Sequence, residues 1–122
     1  MARRRKPPLR DVGDDPDARF SLANERTFLA WNRTALALIA GGLAVSQLLP
    51  SQDLPGLRRF LALPPIVLGG VVAWTSYHRW EANERALRLG QPLPGSWLPR
   101  ILALAVAAGA AVAVLIALLA EQ

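Results

Sequence analysis

The chain has 122 residues, of which 52% are hydrophobic and 19% charged, with a formal net charge of +5 and no cysteine. That length bounds it to one domain, and the apolar share is high for a soluble chain so small. The lack of cysteine excludes disulfides, thiolate metal sites and a cysteine nucleophile.

Residues 1–20 combine a basic run, Arg3 to Lys6, with Pro7, Pro8, Gly13 and Pro16 and with the acidic Asp11, Asp14, Asp15 and Asp17. Such a composition buries no core, so a disordered basic and acidic tail is predicted there. Its arginines are placed to meet anionic lipid headgroups. Ser21 is the predicted cap of a first helix that runs through the Gly41-Gly42 pair, tolerated in membrane helices, and ends at Pro50.

Three blocks lack any Asp, Glu, Lys or Arg: Thr34 to Leu49, Phe60 to His78 and Ile101 to Ala120. Each approaches the roughly 20 residues that a helix needs to cross about 30 Å of hydrocarbon. The predicted fold class is therefore an all-α membrane protein, with a three-helix transmembrane domain over residues 21–122 and spans at about 30–49, 60–78 and 98–120. The first block starts too far along the chain, and lacks the small-residue cleavage site, to be a secretory signal.

The loop from Pro50 to Arg59 is short and makes the first two spans antiparallel neighbours. Pro64-Pro65 is predicted to open the second helix, where a missing N–H does no harm. That helix continues through an aromatic belt of Trp74, Tyr77 and Trp80 into a charged extension with Glu81, Glu84, Arg85 and Arg88, and stops at Gly90. Gln91 to Pro99 is proline-rich and redirects the chain. The third span carries Ala105, Gly109, Ala113 and Ala117 at four-residue spacing, which suits close helix contact.

Twelve basic residues precede the first span or lie between the second and third, against only Arg58 and Arg59 between the first and second. The positive-inside rule then predicts a cytoplasmic amino terminus and a carboxyl terminus on the far side of the membrane. The same rule accounts for the basic charge without nucleic acid as a partner.

Arg19, Arg26 and Arg33 recur every seven residues and share one face of the first helix. Arg33 would sit roughly 5 Å inside the apolar slab, a costly place for a charge. The face continues as Ala37, Gly41 and Ala44, small residues that suit a helix interface or a pore lining better than lipid. Two readings follow: Arg26 and Arg33 form a basic ring in an oligomer, or they snorkel to lipid phosphates. Glu25 and Asn32 are candidate polar partners for the arginines, and Gly109 and Ala113 are candidate packing positions on the third span. His78 is the sole histidine and reads as an interfacial side chain; no metal site, cofactor site or catalytic set can be assembled from the sequence.

The segment Leu22-Ala23-Asn24-Glu25-Arg26-Thr27-Phe28-Leu29-Ala30-Trp31-Asn32-Arg33-Thr34 resembles the signature of YidH-like bacterial inner-membrane proteins, a domain family of unknown function. The second loop, with Tyr77, Arg79, Trp80, Glu84, Arg88, Gly90, Pro92, Leu93 and Pro94, is similar to that family as well. The family is in turn similar to the membrane domain of the yeast vacuolar transporter chaperone complex, where three-helix subunits assemble and basic residues near the first helix line a polyphosphate path. The resemblance thus implies a role for Arg26 and Arg33. The leading expectation is a homo-oligomer that forms or supports an anion, phosphate or polyphosphate path, with no enzymatic activity. The alternative is a non-conducting scaffold or accessory subunit that stabilises a membrane protein partner.

Overall fold

The computed structural model describes residues 4–49 and 55–121. A single 3-10 turn at Leu9–Asp11 precedes three helices: α1 at Ala18–Leu48, α2 at Pro55–Leu89 and α3 at Leu98–Ala120. All three are long and apolar enough to cross a membrane. With 31 and 35 residues, α1 and α2 exceed the length that the apolar slab requires, so each extends a charged end beyond it.

Helix ends follow local chemistry. Asp17, rather than Ser21, caps α1: its carboxylate accepts from the Arg19 backbone amide at 3.0 Å. Ser21 lies inside the helix, and its hydroxyl is used elsewhere. At the end of α2, Gly90 adopts φ +65°, and the Gln91 and Gly90 amides return to the carbonyls of Ala86 and Leu87. This paired pattern closes a helix through a left-handed residue, as expected at Gly90.

Pro64-Pro65 does not open α2 but lies inside it. Pro55 serves as the first residue instead, a position where proline's fixed φ favours the helix. The turn before Pro64 is held because Ala62 is needed in the contact with α1, where it is buried. α2 therefore starts at Pro55, ahead of the predicted second span. Pro50 as terminator, the first loop through Asp53 and the start of the basic run at Arg3 lie outside the described residues.

α1 and α2 pack antiparallel through a seam of small residues. A Cβ added to Gly42 would meet the Ala62 carbonyl oxygen at 2.7 Å, and one added to Gly69 would meet the Ala35 carbonyl oxygen at the same distance. The two backbones therefore approach as closely as glycine permits, the packing mode available where no hydrophobic effect drives helices together. Ala35 and Val72 lie at the centre of this seam, flanked by Trp31, Leu38, Leu68 and Ala73. α3 contributes Leu98 to that cluster, while none of the apolar window of α3 is otherwise buried within the chain.

The tail departs from the expectation of a mobile segment. Val12 is buried, and residues 7–15 lie against the last turns of α2 through hydrogen bonds and an ion pair. Composition gave no sign of this because the contacts depend on backbone groups and on one positive-φ glycine, Gly13.

Candidate functional site

The antiparallel crossing brings the start of α1 beside the end of α2, and the two faces of α1 there differ in kind. At 3.6 residues per turn, the seven-residue stripe of Arg19, Arg26 and Arg33 falls roughly 180° from Ala35, the residue buried against α2. All three arginines are exposed, as are Ala37, Gly41 and Ala44. The predicted stripe thus points away from the rest of the chain.

Its three arginines are not equivalent. Arg19 is engaged at the helix cap, with Nη2 at 3.0 Å from Asp17 Oδ2. The Arg19 guanidinium, and then its backbone amide, hold the Asp17 carboxyl below its ordinary value. Arg26 and Arg33 make no hydrogen bond or ion pair with any of the described residues. Nor do the predicted polar partners reach them: Glu25 is exposed and pairs with no described residue, and Asn32 donates to the Phe28 carbonyl and to Ser76 Oγ on α2. Gly109 and Ala113 are exposed on α3, and a Cβ added to Gly109 would meet nothing within 4 Å among the described residues.

The opposite face of α1 holds a polar cluster that sequence reasoning missed. Asn24 Nδ2 donates to the Trp80 carbonyl at 3.0 Å and to Glu84 Oε1 at 3.1 Å, while its Oδ1 accepts from Asn83 Nδ2. Ser21 Oγ donates to the other carboxylate oxygen of Glu84 at 3.2 Å. Asn24 and Glu84 are buried, so the bonds cross the helix pair out of water, where polar groups left unpaired are costly. The readable signal was one of register: Ser21, Asn24, Phe28 and Trp31 follow three- and four-residue spacing along the face that ends at Ala35.

One turn deeper, the Arg79 guanidinium lies 5.3 Å over the Trp31 ring. Its Nη1 is buried without a hydrogen-bond partner among the described residues. A cleft between Asn24, Thr27 and Trp31 of α1 and Ser76, Arg79 and Asn83 of α2 has room for about one water molecule, enough to satisfy that nitrogen and no more. Further along α2, His78 packs edge-on against Trp74 at 4.9 Å, beside exposed Tyr77. It belongs to an aromatic belt. Among the described residues no group of three or more His, Cys, Asp or Glu converges.

Comparison with known proteins agrees with this architecture. The family described as "Domain of unknown function (DUF202)" matches residues 19–86, from the helix cap to the last turn of α2. The chain is 51% identical over 83 residues to Inner membrane protein YidH of Escherichia coli (strain K12), covering 68% of this chain and 72% of that protein. It is 45% identical over 89 residues to an uncharacterized protein of Mycobacterium tuberculosis, covering 73% of each. No solved structure matches. The matched stretch contains both faces of α1 and the whole α1–α2 seam, and the chain belongs to the DUF202 family as a YidH-like, multi-pass bacterial inner-membrane protein.

Proposed function

We propose that the chain assembles as a homo-oligomer in which the outward stripe of α1 lines a path for phosphate, polyphosphate or another anion, without catalysis. One observation carries this reading. Arg26 and Arg33 are exposed, without a partner among the described residues, and diametrically opposed to the α2 contact. A single copy encloses no space around them. Charged side chains at the edge of the apolar slab face a bundle interior, an aqueous cavity or a lipid phosphate. The same face continues as Ala37, Gly41 and Ala44, which expose little apolar surface to lipid and permit close approach of neighbouring copies. A ring of such faces would present Arg26 and Arg33 as successive basic layers at the mouth of a path.

Asn24, Asn32, Ser76 and Glu84 each bond to another group of the α1–α2 pair, which supports a reading without catalysis.

The test is flux in liposomes for the native chain and Arg33→Leu, with phosphate, polyphosphate and chloride measured separately and assembly checked by cross-linking. Flux that is lost or changes selectivity in the variant supports the path. No flux from either chain, with a single membrane partner recovered in fixed ratio, replaces it with a scaffold.

A further inference from the structure

The last two turns of α2 are covered by the chain's own tail. Arg85 Nη1 donates to the Pro7 carbonyl at 3.0 Å, and Arg88 Nη1 lies 3.1 Å from Asp15 Oδ1. The Asp14 amide donates to the Arg88 carbonyl at 3.2 Å, which satisfies a helix-end acceptor. Between these contacts Gly13, at φ +54°, lies backbone to backbone against Arg88 with no space for a Cβ. With the tail in place the two arginine side chains are each only 17% exposed, whereas Asp15 is 91% exposed.

The two contacts share a chemistry: each guanidinium is met by an oxygen acceptor from the tail, a carbonyl for Arg85, whose other nitrogen donates to Glu81 Oε1 at 3.3 Å, and a carboxylate for Arg88. A phosphate diester presents the same acceptor oxygens with a charge, the geometry that guanidinium groups match best. Arg85 and Arg88 are three residues apart, hence neighbours on one helix face. Successive turns of that face towards the membrane carry Tyr77 and Trp74, both exposed. Aromatic rings of this kind mark the headgroup level of a bilayer, so the arginines emerge where lipid phosphates lie. The exposed run Arg4, Arg5 and Lys6 directly precedes Pro7 and carries three charges that an anionic surface attracts.

We propose that Arg85 and Arg88 form a binding site for the phosphate of an anionic phospholipid, which residues 7–15 of the tail occupy as an internal stand-in. Lipid binding and tail docking then exclude each other. This site is on α2, separate from the α1 stripe, and stands whether or not the chain conducts anions.

The absence of native cysteine allows a direct test. Spin labels at Leu9→Cys and Gln91→Cys, in the full chain, report tail docking by double electron–electron resonance in nanodiscs of phosphatidylcholine or phosphatidylglycerol. A narrow, short distance in phosphatidylcholine that broadens and lengthens in phosphatidylglycerol is expected. Native mass spectrometry then counts retained phosphatidylglycerol: Gly13→Ala, which expels the tail, raises retention, and Arg85→Gln with Arg88→Gln lowers it. The same distance distribution in both lipids, or retention unchanged in either variant, overturns the proposal. So does broadening in phosphatidylcholine on addition of inorganic phosphate alone at matched ionic strength, which would make the ligand a free oxyanion.

Discussion

Gly42→Ala is the most direct probe of how α1 and α2 are held together, because the adjacent Gly41 supplies a matched control. A methyl group at Gly42 would lie 2.7 Å from the Ala62 carbonyl oxygen and 2.5 Å from Ile66 Cγ1. The isoleucine can rotate away, but a helix carbonyl cannot move without displacing α2, so the seam must open along its length. Overpacking of this kind costs about 1–3 kcal/mol. Alanine returns about 1 kcal/mol through its better helix propensity, leaving a net loss of up to about 2 kcal/mol. At Gly41 a Cβ meets nothing within 4 Å, so only the propensity gain applies in a single copy. Titration with sodium dodecyl sulfate in mixed micelles, followed by tryptophan fluorescence, measures both. Gly42→Ala should unfold at a lower mole fraction of the denaturing detergent, and Gly41→Ala at or above the native value. Equal stability of Gly42→Ala and the native chain would refute a seam set by backbone approach. Gly41→Ala carries a second readout: weaker cross-linking with unchanged single-chain stability would place that glycine in a contact between copies.

Asn24→Leu removes three bonds across the helix pair and leaves one Glu84 oxygen and the Asn83 side-chain amide unmatched, so it should cost about 1–3 kcal/mol in the same titration. A double-mutant cycle of Trp31→Leu with Arg79→Gln should give a coupling of about 0.5–2 kcal/mol, the range for a cation over an aromatic face; no coupling would mean that the stacking is incidental. The Asp17 carboxyl is held low by Arg19, so its contribution to the α1 cap is complete above the ordinary aspartate pKa and fades as pH falls through the lowered folded value. Carboxyl carbon NMR should therefore find Asp17 titrating below an unperturbed aspartate, and returning towards it in Arg19→Gln.

Helix number and the gross path of the chain were legible because charge-free blocks of span length leave few alternatives in a short sequence. Gly90 was legible too, since a helix that must stop in water before a proline-rich turn calls for a residue tolerant of positive φ. Helix starts were not. Ser21 and Asp17 are both good caps by residue type, and only the position of Glu84 across the seam explains why Ser21 is used inside the helix. Pro64-Pro65 misled for the same reason: local propensity argues for a start, whereas the demand for Ala62 opposite Gly42 extends the helix back to Pro55. The arginine stripe was legible as a periodicity, but its direction was not, because periodicity identifies a face without saying what it faces.

That direction is the informative result for α1. A helix with polar residues on both faces near its start is ambiguous in sequence, since either set could serve assembly, ligand binding or mere packing. In the fold the ambiguity divides cleanly. Ser21, Asn24 and Asn32 are consumed in joining α1 to α2, and Trp31 is consumed beneath Arg79, so that face has little left to offer a ligand beyond a space of about one water molecule. Arg26 and Arg33 are consumed by nothing among the described residues, and lie on the far side with Ala37, Gly41 and Ala44. Arg85 and Arg88 on α2 hold tail oxygens that a ligand could replace, the Pro7 carbonyl and the Asp15 carboxylate, while Arg85 also keeps Glu81 of its own helix. Two pairs of cationic side chains therefore stand out among the described residues, Arg26 and Arg33 on the outer face of α1 and Arg85 and Arg88 at the end of α2. Mutations in the seam should change stability, while mutations at these two places should change what the protein binds.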